Sequence, residues 1–318
     1  MQRRHFITSL ALLLSASGLL TGCAAAQRLR VGIHPWIGYE PLYLAEYFGW
    51  LDDSVELIKN TNASGSLIGL RQGALDAAAL TLDEVLSARE QGVPLKIVMV
   101  FNHSVGADVV LARDDVQHLT QLRGKRIAAE KTAVGALMLA RLLKAAGLGK
   151  HEVTILDIPP DSQLRAWQEG QIDAAITYEP TASRLAQLGG VRVFDSRAIP
   201  DTIMDVLAVM PGSSAQLVKA AVQGYLKGLE HIRLSRQDAV HRIAAWRNLS
   251  VSDVSRSLSG IHLPDLHANH AYLAENGDLL RAARQLGSTM LEAGLLKRSP
   301  VLDGLVDNRF LPINGNGY

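Results

Sequence analysis

The chain has 318 residues, of which 20% are charged and 48% apolar, a composition typical of a globular protein of one or two domains. Only 5% of the residues are aromatic, which argues against a protein that stacks nucleic-acid bases on its rings. The 32 Lys and Arg residues are balanced by 31 acids, so a basic nucleic-acid-binding surface is not expected.

The first 22 residues predict a lipoprotein signal peptide. Arg3 and Arg4 precede an apolar run over residues 6–20, which is too short for a permanent membrane span. The run leads into the lipobox LTGC, where cleavage leaves Cys23, the only cysteine, as the lipid attachment point. We therefore expect a lipid anchor in the bacterial cell envelope, on the periplasmic side of the inner or the outer membrane. A cleaved signal without lipid, and export by the Sec or the twin-arginine route, stay open.

From residue 30 onward, short apolar runs alternate with helical patterns. Strands are predicted over 30–33, 55–59, 76–81, 95–101 and 108–112, and helices over 41–50, 66–72 and 83–91. The alternation begins again with strands over 125–129, 153–158 and 173–178 and helices over 134–146 and 162–169. A strand over 205–210 then precedes four helices, over 215–234, 238–246, 252–259 and 278–293. This order predicts an α/β fold with a largely parallel sheet.

A short internal repeat suggests that the two halves of this pattern are related. The segment GALDAAALT (73–81) matches GQIDAAITY (170–178), with the Gly and the Asp three positions apart in both. In each copy a helix is expected to end at Gly, the chain to turn at Asp, and a buried strand to follow. Thr81 and Tyr178 then fall at equivalent carboxyl ends of strands. Gly-x-x-Asp-Ala-Ala is also a common helix-to-strand turn, so chance similarity stays open.

Several segments together resemble one known family. The segments RVGIHPWIGY (30–39), PLYLAEYFGW (41–50), LRGKRIA (from Leu122) and AAITYEP (174–180) are similar to those of nitrate/sulfonate/taurine-type ABC-transporter substrate-binding proteins, relatives of the thiamine-pyrimidine-precursor synthases. The resemblance runs from about residue 29 to the C-terminus. It implies a periplasmic-binding-protein type II-like fold, in which two α/β lobes are joined by crossover strands and the ligand cleft lies between them.

The resemblance also implies a domain order and partners. Residues 23–112 would form the first lobe, 113–203 the second, and 204–318 a return strand and helices packed on the first, with crossings near Ala112 and 200–205. Hinge closure on one small polar molecule, of the sulfonate, taurine, nitrate or thiamine-pyrimidine class, would present it to an ABC permease in the inner membrane. We expect a monomer without cofactor. A sensory protein that reports the ligand to a membrane receptor or kinase would have the same fold and cleft.

Candidate ligand-binding residues follow from where strands end and helices begin. Ligands of open α/β sheets lie beyond the carboxyl ends of the strands, and helix N-termini there offer free N–H groups. The candidates are Trp36, Gly38, Tyr39, Ser64, Gly65, Thr81, Asp83, Asn102 and Ser104 in the first lobe, Thr132, Ala133, Tyr178 and Glu179 in the second, and Asp205 on the return strand. Packing by Trp36 over the helix, an N-cap at Ser64, and first-turn roles for Asp83 and Glu84 are the structural alternatives.

Three acids near the expected cleft bear on the charge of the ligand. Glu130, Glu179 and Asp205 would repel nitrate or a simple sulfonate unless each is paired or turned away. They suit an amine or a protonated heterocycle, which leads to the hypothesis of a zwitterionic or cationic ligand.

Enzymatic and metal-binding functions find little support in the sequence. It contains no phosphate-binding loop, no Gly-x-Ser-x-Gly elbow and no His-Glu-x-x-His motif. The related precursor synthases use a cysteine-rich motif, whereas Cys23 is the only cysteine here. His262, His267 and His270 are close in sequence, but their spacing does not fit a regular zinc motif, so surface or structural roles are expected. We therefore predict a binding protein without metal, with an enzyme as a lesser alternative.

Overall fold

The computed structural model describes residues 27–131, 134–200 and 202–313, which form eleven strands in two sheets and eleven α-helices. The first sheet has, in spatial order, β11 (Ile261–His262), β4 (Lys96–Ser104), β10 (Met204–Val209), β3 (Ala77–Thr81), β1 (Leu29–Ile33) and β2 (Val55–Lys59). The second has β7 (Thr154–Asp157), β6 (Arg126–Ala129), β8 (Ala174–Thr177), β5 (Val109–Ala112) and β9 (Val191–Asp195). The predicted signal peptide and Cys23 lie outside the described residues.

The helices connect and cover the strands. They are α1 (Glu40–Tyr47), α2 (Ala63–Arg71), α3 (Leu82–Glu90), α4 (Val134–Ala146), α5 (Pro160–Gln168), α6 (Thr181–Gln187), α7 (Ala215–Leu234), α8 (Arg236–Arg247), α9 (Val251–Ser259), α10 (Leu266–Tyr272) and α11 (Asp278–Glu292). The main elements predicted from sequence are present, with ends shifted by a few residues, and a helix expected to start at Pro180 is present as α6. Strands β9 and β11 and helix α10 were not expected. In the described part of the chain, no helix combines the length and the apolar character that a membrane span requires.

Both sheets are mixed, and the prediction of a largely parallel sheet is wrong. Parallel pairs join β1 to β2 and β3, and β6 to β7 and β8. The strands that follow a crossing between the sheets enter antiparallel: β5 pairs with β8 and β9, and β10 with β3 and β4. The first crossing therefore lies before Val109 and not near Ala112, so a strand predicted for the first lobe belongs to the second sheet. The second crossing lies between β9 and β10, where it was expected.

The two copies of the sequence repeat occupy equivalent positions in the two sheets. Gly73 and Gly170 end their helices in the left-handed conformation, with φ of 69° and 65°, which favours Gly. In the first sheet, Arg30 donates from its backbone N–H, Nε and Nη2 to the carboxylate of Asp76, each at 2.9 Å. Arg126 makes the same three bonds to Asp173, at 2.7–3.0 Å. The shared Arg–Asp pair fastens β1 to the turn before β3 in the first sheet, and β6 to the turn before β8 in the second.

The C-terminal helices cover the first sheet. Helix α7 packs on α1, and α11 packs on α3. Gly228 of α7 lies so close to the carbonyl of Pro41 that any side chain there would collide with backbone. Glu40 of α1, which is 1% exposed, accepts from Arg247 Nε at 2.6 Å and from Trp246 Nε1 at 2.9 Å. The end of α8 is thus tied to the start of α1, immediately behind the loop that follows β1.

Candidate functional site

A cavity lies between the two sheets, at the edge where β3 and β8 end. Its volume is about 20 Å³, little more than one water molecule requires, and its walls come from both sheets. The lining residues are His34, Trp36, Ala63, Thr81, Glu84, Asp108, Glu130, Val134, Tyr178, Ile203 and Asp205. Four of the predicted ligand residues are among them, namely Trp36, Thr81, Tyr178 and Asp205. Larger clefts exist on the surface, but this cavity is the place where the predicted strand ends of both sheets converge.

The register of β10 places Asp205 in one wall of the cavity. This strand runs antiparallel between β3 and β4, which places Asp205 opposite both Thr81 and Asn102. Tyr39 donates its hydroxyl to Asp205 Oδ1 at 2.5 Å, and the Asn102 amide nitrogen, oriented toward the acid, donates to Oδ2 at 2.9 Å. Burial raises the pKa of Asp205 well above its usual range, against the hydrogen bond from Tyr39.

An aromatic wall closes the cavity. The rings of Trp36 and Tyr178, one from each sheet's side, meet edge to face with centroids 5.3 Å apart. The indole of Trp36 also donates to Asn102 Oδ1 at 3.3 Å, so the ring both lines the cavity and contacts the residue that holds Asp205. Beside them lies His34, whose pKa is lowered to about 4 by burial and by the charge of Arg247. The imidazole is therefore neutral near pH 7.

A hydrogen bond joins the two sides of the cavity. Ser64, in the first turn of α2, donates its hydroxyl to Glu130 Oε1 at 2.5 Å, and Glu130 directly follows β6 of the second sheet. Burial raises the pKa of Glu130 despite this bond. The helix begins earlier than predicted, since Asn62 caps it by accepting from the Gly65 N–H at 3.2 Å. The amide of Gly65 is thus used within the helix turn, which differs from its predicted contact with a ligand.

Acids at the start of α3 combine the two roles that the sequence left open. Glu84 Oε2 accepts from the Thr81 N–H at 2.8 Å, the expected first-turn cap, and its side chain also lines the cavity. Asp83 is buried next to it, and burial raises its pKa to about 6. Burial together with the charge of Asp83 raises the pKa of Glu84 well above its usual range.

Asp108 is a lining residue that sequence reasoning missed. Asp108 directly precedes β5, and the rule that ligands bind at the carboxyl ends of parallel strands does not identify a residue at the start of a strand. Because β5 runs antiparallel to β8, with Val109 opposite Thr177, its beginning lies at the carboxyl edge of β8. Burial raises the pKa of Asp108 to about 7. The feature of the sequence that could have identified Asp108 is an acidic residue next to the segment that crosses between the two sheets.

The other predicted residues lie elsewhere. Ser104 is at the crossing, where its hydroxyl is 2.8 Å from that of Ser196 and accepts from the Asp108 N–H at 3.2 Å. Glu179 accepts from the hydroxyl of Ser183 at 2.8 Å and lines a different cleft, among arginines. Its predicted place in the ligand cleft therefore differs from the structure. Thr132 and Ala133 lie outside the described residues.

The histidines predicted as surface or structural residues are spread over two elements. His262 is exposed in β11, His267 is exposed in α10, and His270 hydrogen-bonds the carbonyl of Pro312 at 2.8 Å. Over the described ranges, no group of three or more His, Cys, Asp or Glu is arranged to hold a metal ion.

Replacing Gly38 by Ala is expected to deform the cavity wall. An added Cβ would collide with the Asn102 side chain and lie 2.6 Å from Trp36 Nε1, displacing the groups that hold Asp205. We expect Gly38→Ala to lower the free energy of unfolding by about 1–3 kcal/mol. In an Asn102→Ala background the same change should cost clearly less, because the main clash is gone. Equal costs in both backgrounds, measured by urea unfolding, would contradict this account.

The family follows from comparison with known proteins. A profile of the NMT1-like family matches residues 23–247, well over half of the chain. The chain belongs to the NMT1-like family. Curated relatives of this NMT1-like protein include one from Bacillus subtilis (strain 168) with the provisional name aliphatic sulfonates-binding protein, 25% identical over 193 residues, which are 55% of this chain and 58% of the relative. The alignments with three curated relatives cover 43–58% of those proteins, so the chain spans about half their length.

Solved structures agree on the fold of this NMT1-like chain. The alkanesulfonate-binding protein SsuA from Xanthomonas axonopodis pv. citri, bound to MOPS, superposes with a TM-score of 0.73 at 18% identity over 89% of this chain and 98% of that one. The desulfurization enzyme DSZB superposes with a TM-score of 0.64 at 18% identity, over 89% and 98%. The protein has the periplasmic-binding-protein fold, as the sequence predicted. This fold carries both binding proteins and an enzyme.

Proposed function

We propose that this protein is a solute-binding protein that captures one small polar molecule between its two sheets and delivers it to an ABC permease. The observation that carries the proposal is the buried cavity whose walls come from both sheets and present aromatic rings, hydroxyls and carboxyls. Relatives and structural neighbours named for binding aliphatic sulfonates and alkanesulfonate support the same activity. Periplasmic location and action as a monomer are parts of the proposal.

The proposed mechanism is hinge closure. The two sheets would be the cores of two lobes, joined where the chain crosses at residues 105–108 and 196–203. The Ser64–Glu130 hydrogen bond supports this view, because it joins opposite walls and opening of the cleft would have to break it. A ligand that contacts both walls favours the closed arrangement, and the closed shape is what the permease would recognise.

Native mass spectrometry of protein that starts at Ala24 tests solute capture. We expect one additional mass per chain in the native spectrum, absent after denaturation, and no conversion of that molecule on incubation. Turnover would support an enzyme, the function that DSZB performs on this fold. Deletion of the protein distinguishes transport from sensing. Lost uptake of the identified molecule supports transport, whereas intact uptake with altered signalling supports a sensory role.

Lipid anchoring through Cys23 is the second part of the proposal. The change Cys23→Ser removes the thiol that the lipobox presents, so we expect the protein to leave the membrane fraction almost completely. Membrane fractionation and the mass of the purified protein measure this. The change Ala25→Ser, outside the lipobox, is the matched control and should leave the lipid in place. A chain that stays soluble with an unmodified Cys23 would point instead to an ordinary cleaved signal.

A further inference from the structure

The walls of the cavity carry four carboxyl groups and no cationic side chain. Glu84, Asp108, Glu130 and Asp205 are each more than nine-tenths buried, and none of the described residues that line the cavity is Lys or Arg. The lining imidazole of His34 is neutral near pH 7, as described above. An anion at this place would meet no cationic side chain, and every carboxyl that is ionised would repel it in surroundings that screen charge poorly.

The carboxyl of Asp108 interacts with the side chain of Ser104, but one of its oxygens lacks a hydrogen-bond partner among the described residues. Glu84, Glu130 and Asp205 each accept a hydrogen bond from a neighbouring residue. Within the described part of the chain, Asp108 Oδ2 has no hydrogen-bond partner although Asp108 is only 3% exposed. Buried polar atoms are almost always hydrogen-bonded, so an acceptor without a partner at the wall of a cavity indicates a group that is supplied from outside.

We propose that the ligand is an organic cation, an amine or amidine whose protonated nitrogen donates to Asp108 Oδ2 and lies against the rings of Trp36 and Tyr178. Ammonium and amidinium groups carry only donors, which matches the acceptor Asp108 Oδ2, and hydrogen bonds between charged partners are the strong ones. The aromatic faces add a cation–π attraction. This inference rests on the proposed solute capture and names the chemical class of the solute.

Isothermal titration calorimetry with two series of similar shape tests the charge preference. The first series is benzamidine, benzamide and benzenesulfonate, and the second is propylamine, propionamide and propanesulfonate. In at least one series we expect the cation to bind at least 10-fold more tightly than its neutral and anionic counterparts. The change Asp108→Asn should weaken binding of that cation by about 10- to 100-fold, the usual effect of losing a charged hydrogen-bond partner.

The change Glu179→Gln is the matched control, since it removes one negative charge from a carboxyl bonded to Ser183 outside the cavity. It should leave the affinity unchanged. Thermal unfolding checks that the Asp108→Asn variant is folded. Because the change removes a buried acid, the melting temperature of the variant near pH 7 should be no lower than that of the parent protein.

The inference is wrong if a sulfonate binds at least as tightly as the cation of its series, if neither cation binds, or if Asp108→Asn leaves the affinity unchanged. One-to-one binding of a sulfonate or an amide would overturn the cation and leave solute capture intact. Silence of all six compounds, with no co-purified molecule in the native mass spectrum, would count against the proposed function as well.

Discussion

Replacing Arg247 by methionine is expected to lower the free energy of unfolding by about 3–5 kcal/mol. Its guanidinium donates to Glu40 at 2.6 Å, and both side chains are shielded from solvent, with 14% and 1% exposed. Methionine leaves the carboxyl of Glu40 buried, with the indole of Trp246 still donating to it at 2.9 Å. Burial already raises the pKa of Glu40, and loss of the cation would raise it further. Urea unfolding near pH 7 measures the effect.

The control for this prediction is an exposed ion pair of similar type. Arg165 faces Glu169 at 4.0 Å with 81% of its side chain exposed, so Arg165→Met should change stability by less than about 0.5 kcal/mol. Adding Glu40→Gln to Arg247→Met should recover part of the loss, because no uncompensated charge then remains in the interior. Similar small effects at Arg165 and Arg247 would mean that the buried pair adds little beyond its packing.

The ligand-free protein is expected to lose stability as the pH rises from about 4 to about 7. Burial raises the pKa of Asp108 from 3.8 to about 7 and that of Asp83 from 3.8 to about 6. Between the unfolded and folded pKa values the folded chain binds more protons than the unfolded one, so stability falls as the pH rises. At about 1.4 kcal/mol per unit of pKa, Asp108 accounts for about 4 kcal/mol and Asp83 for about 3 kcal/mol.

His34 acts in the opposite direction over part of this range. Its pKa falls from 6.5 to about 4 on folding, so it adds about 3 kcal/mol of stability as the pH rises through that interval, roughly offsetting Asp83. The net expectation is a loss of about 4 kcal/mol between pH 4 and pH 7, interrupted by a nearly flat interval from about pH 6 to 6.5, where His34 offsets Asp108 after Asp83 has ionised. Glu84, Glu130 and Asp205, whose pKa values are also raised by burial, add to the loss.

Melting temperatures of ligand-free protein at pH 5, 6, 7 and 8 measure this dependence. The change Asp108→Asn should flatten the curve, since an amide does not titrate, whereas Glu179→Gln, outside the cavity, should shift it less. A melting temperature that is constant or rises between pH 6 and 8 would show that the buried acids are paired with cations in the ligand-free protein. A cationic ligand should restore stability at the alkaline end, which links this prediction to the inferred ligand class.

Parts of the site could be predicted because they depend on local rules. Thr81 and Tyr178 were predicted to line the site because they lie at the carboxyl ends of buried strands, and parallel strands bring such ends to one edge of a sheet. Trp36 was found as an aromatic residue in the loop after the first strand. Glu179 was placed in the cleft because it follows Tyr178. However, neighbouring residues at a strand end point in opposite directions, and the hydroxyl of Ser183 holds Glu179 elsewhere.

By itself, the sequence determined most of the elements, the fold class and the relation between its two α/β halves, because these depend on periodicity, on recognisable segments and on helix-ending glycines such as Gly73 and Gly170. Only the tertiary structure decided the direction of β5 and β10 and therefore which acids meet. Because β5 and β10 are inserted antiparallel, Asp108 and Asp205, which lie at the beginnings of these strands, come to the edge where β3 ends at Thr81 and β8 ends before Tyr178. Strand direction after a crossing is set by packing between distant segments, and no local pattern carries that information.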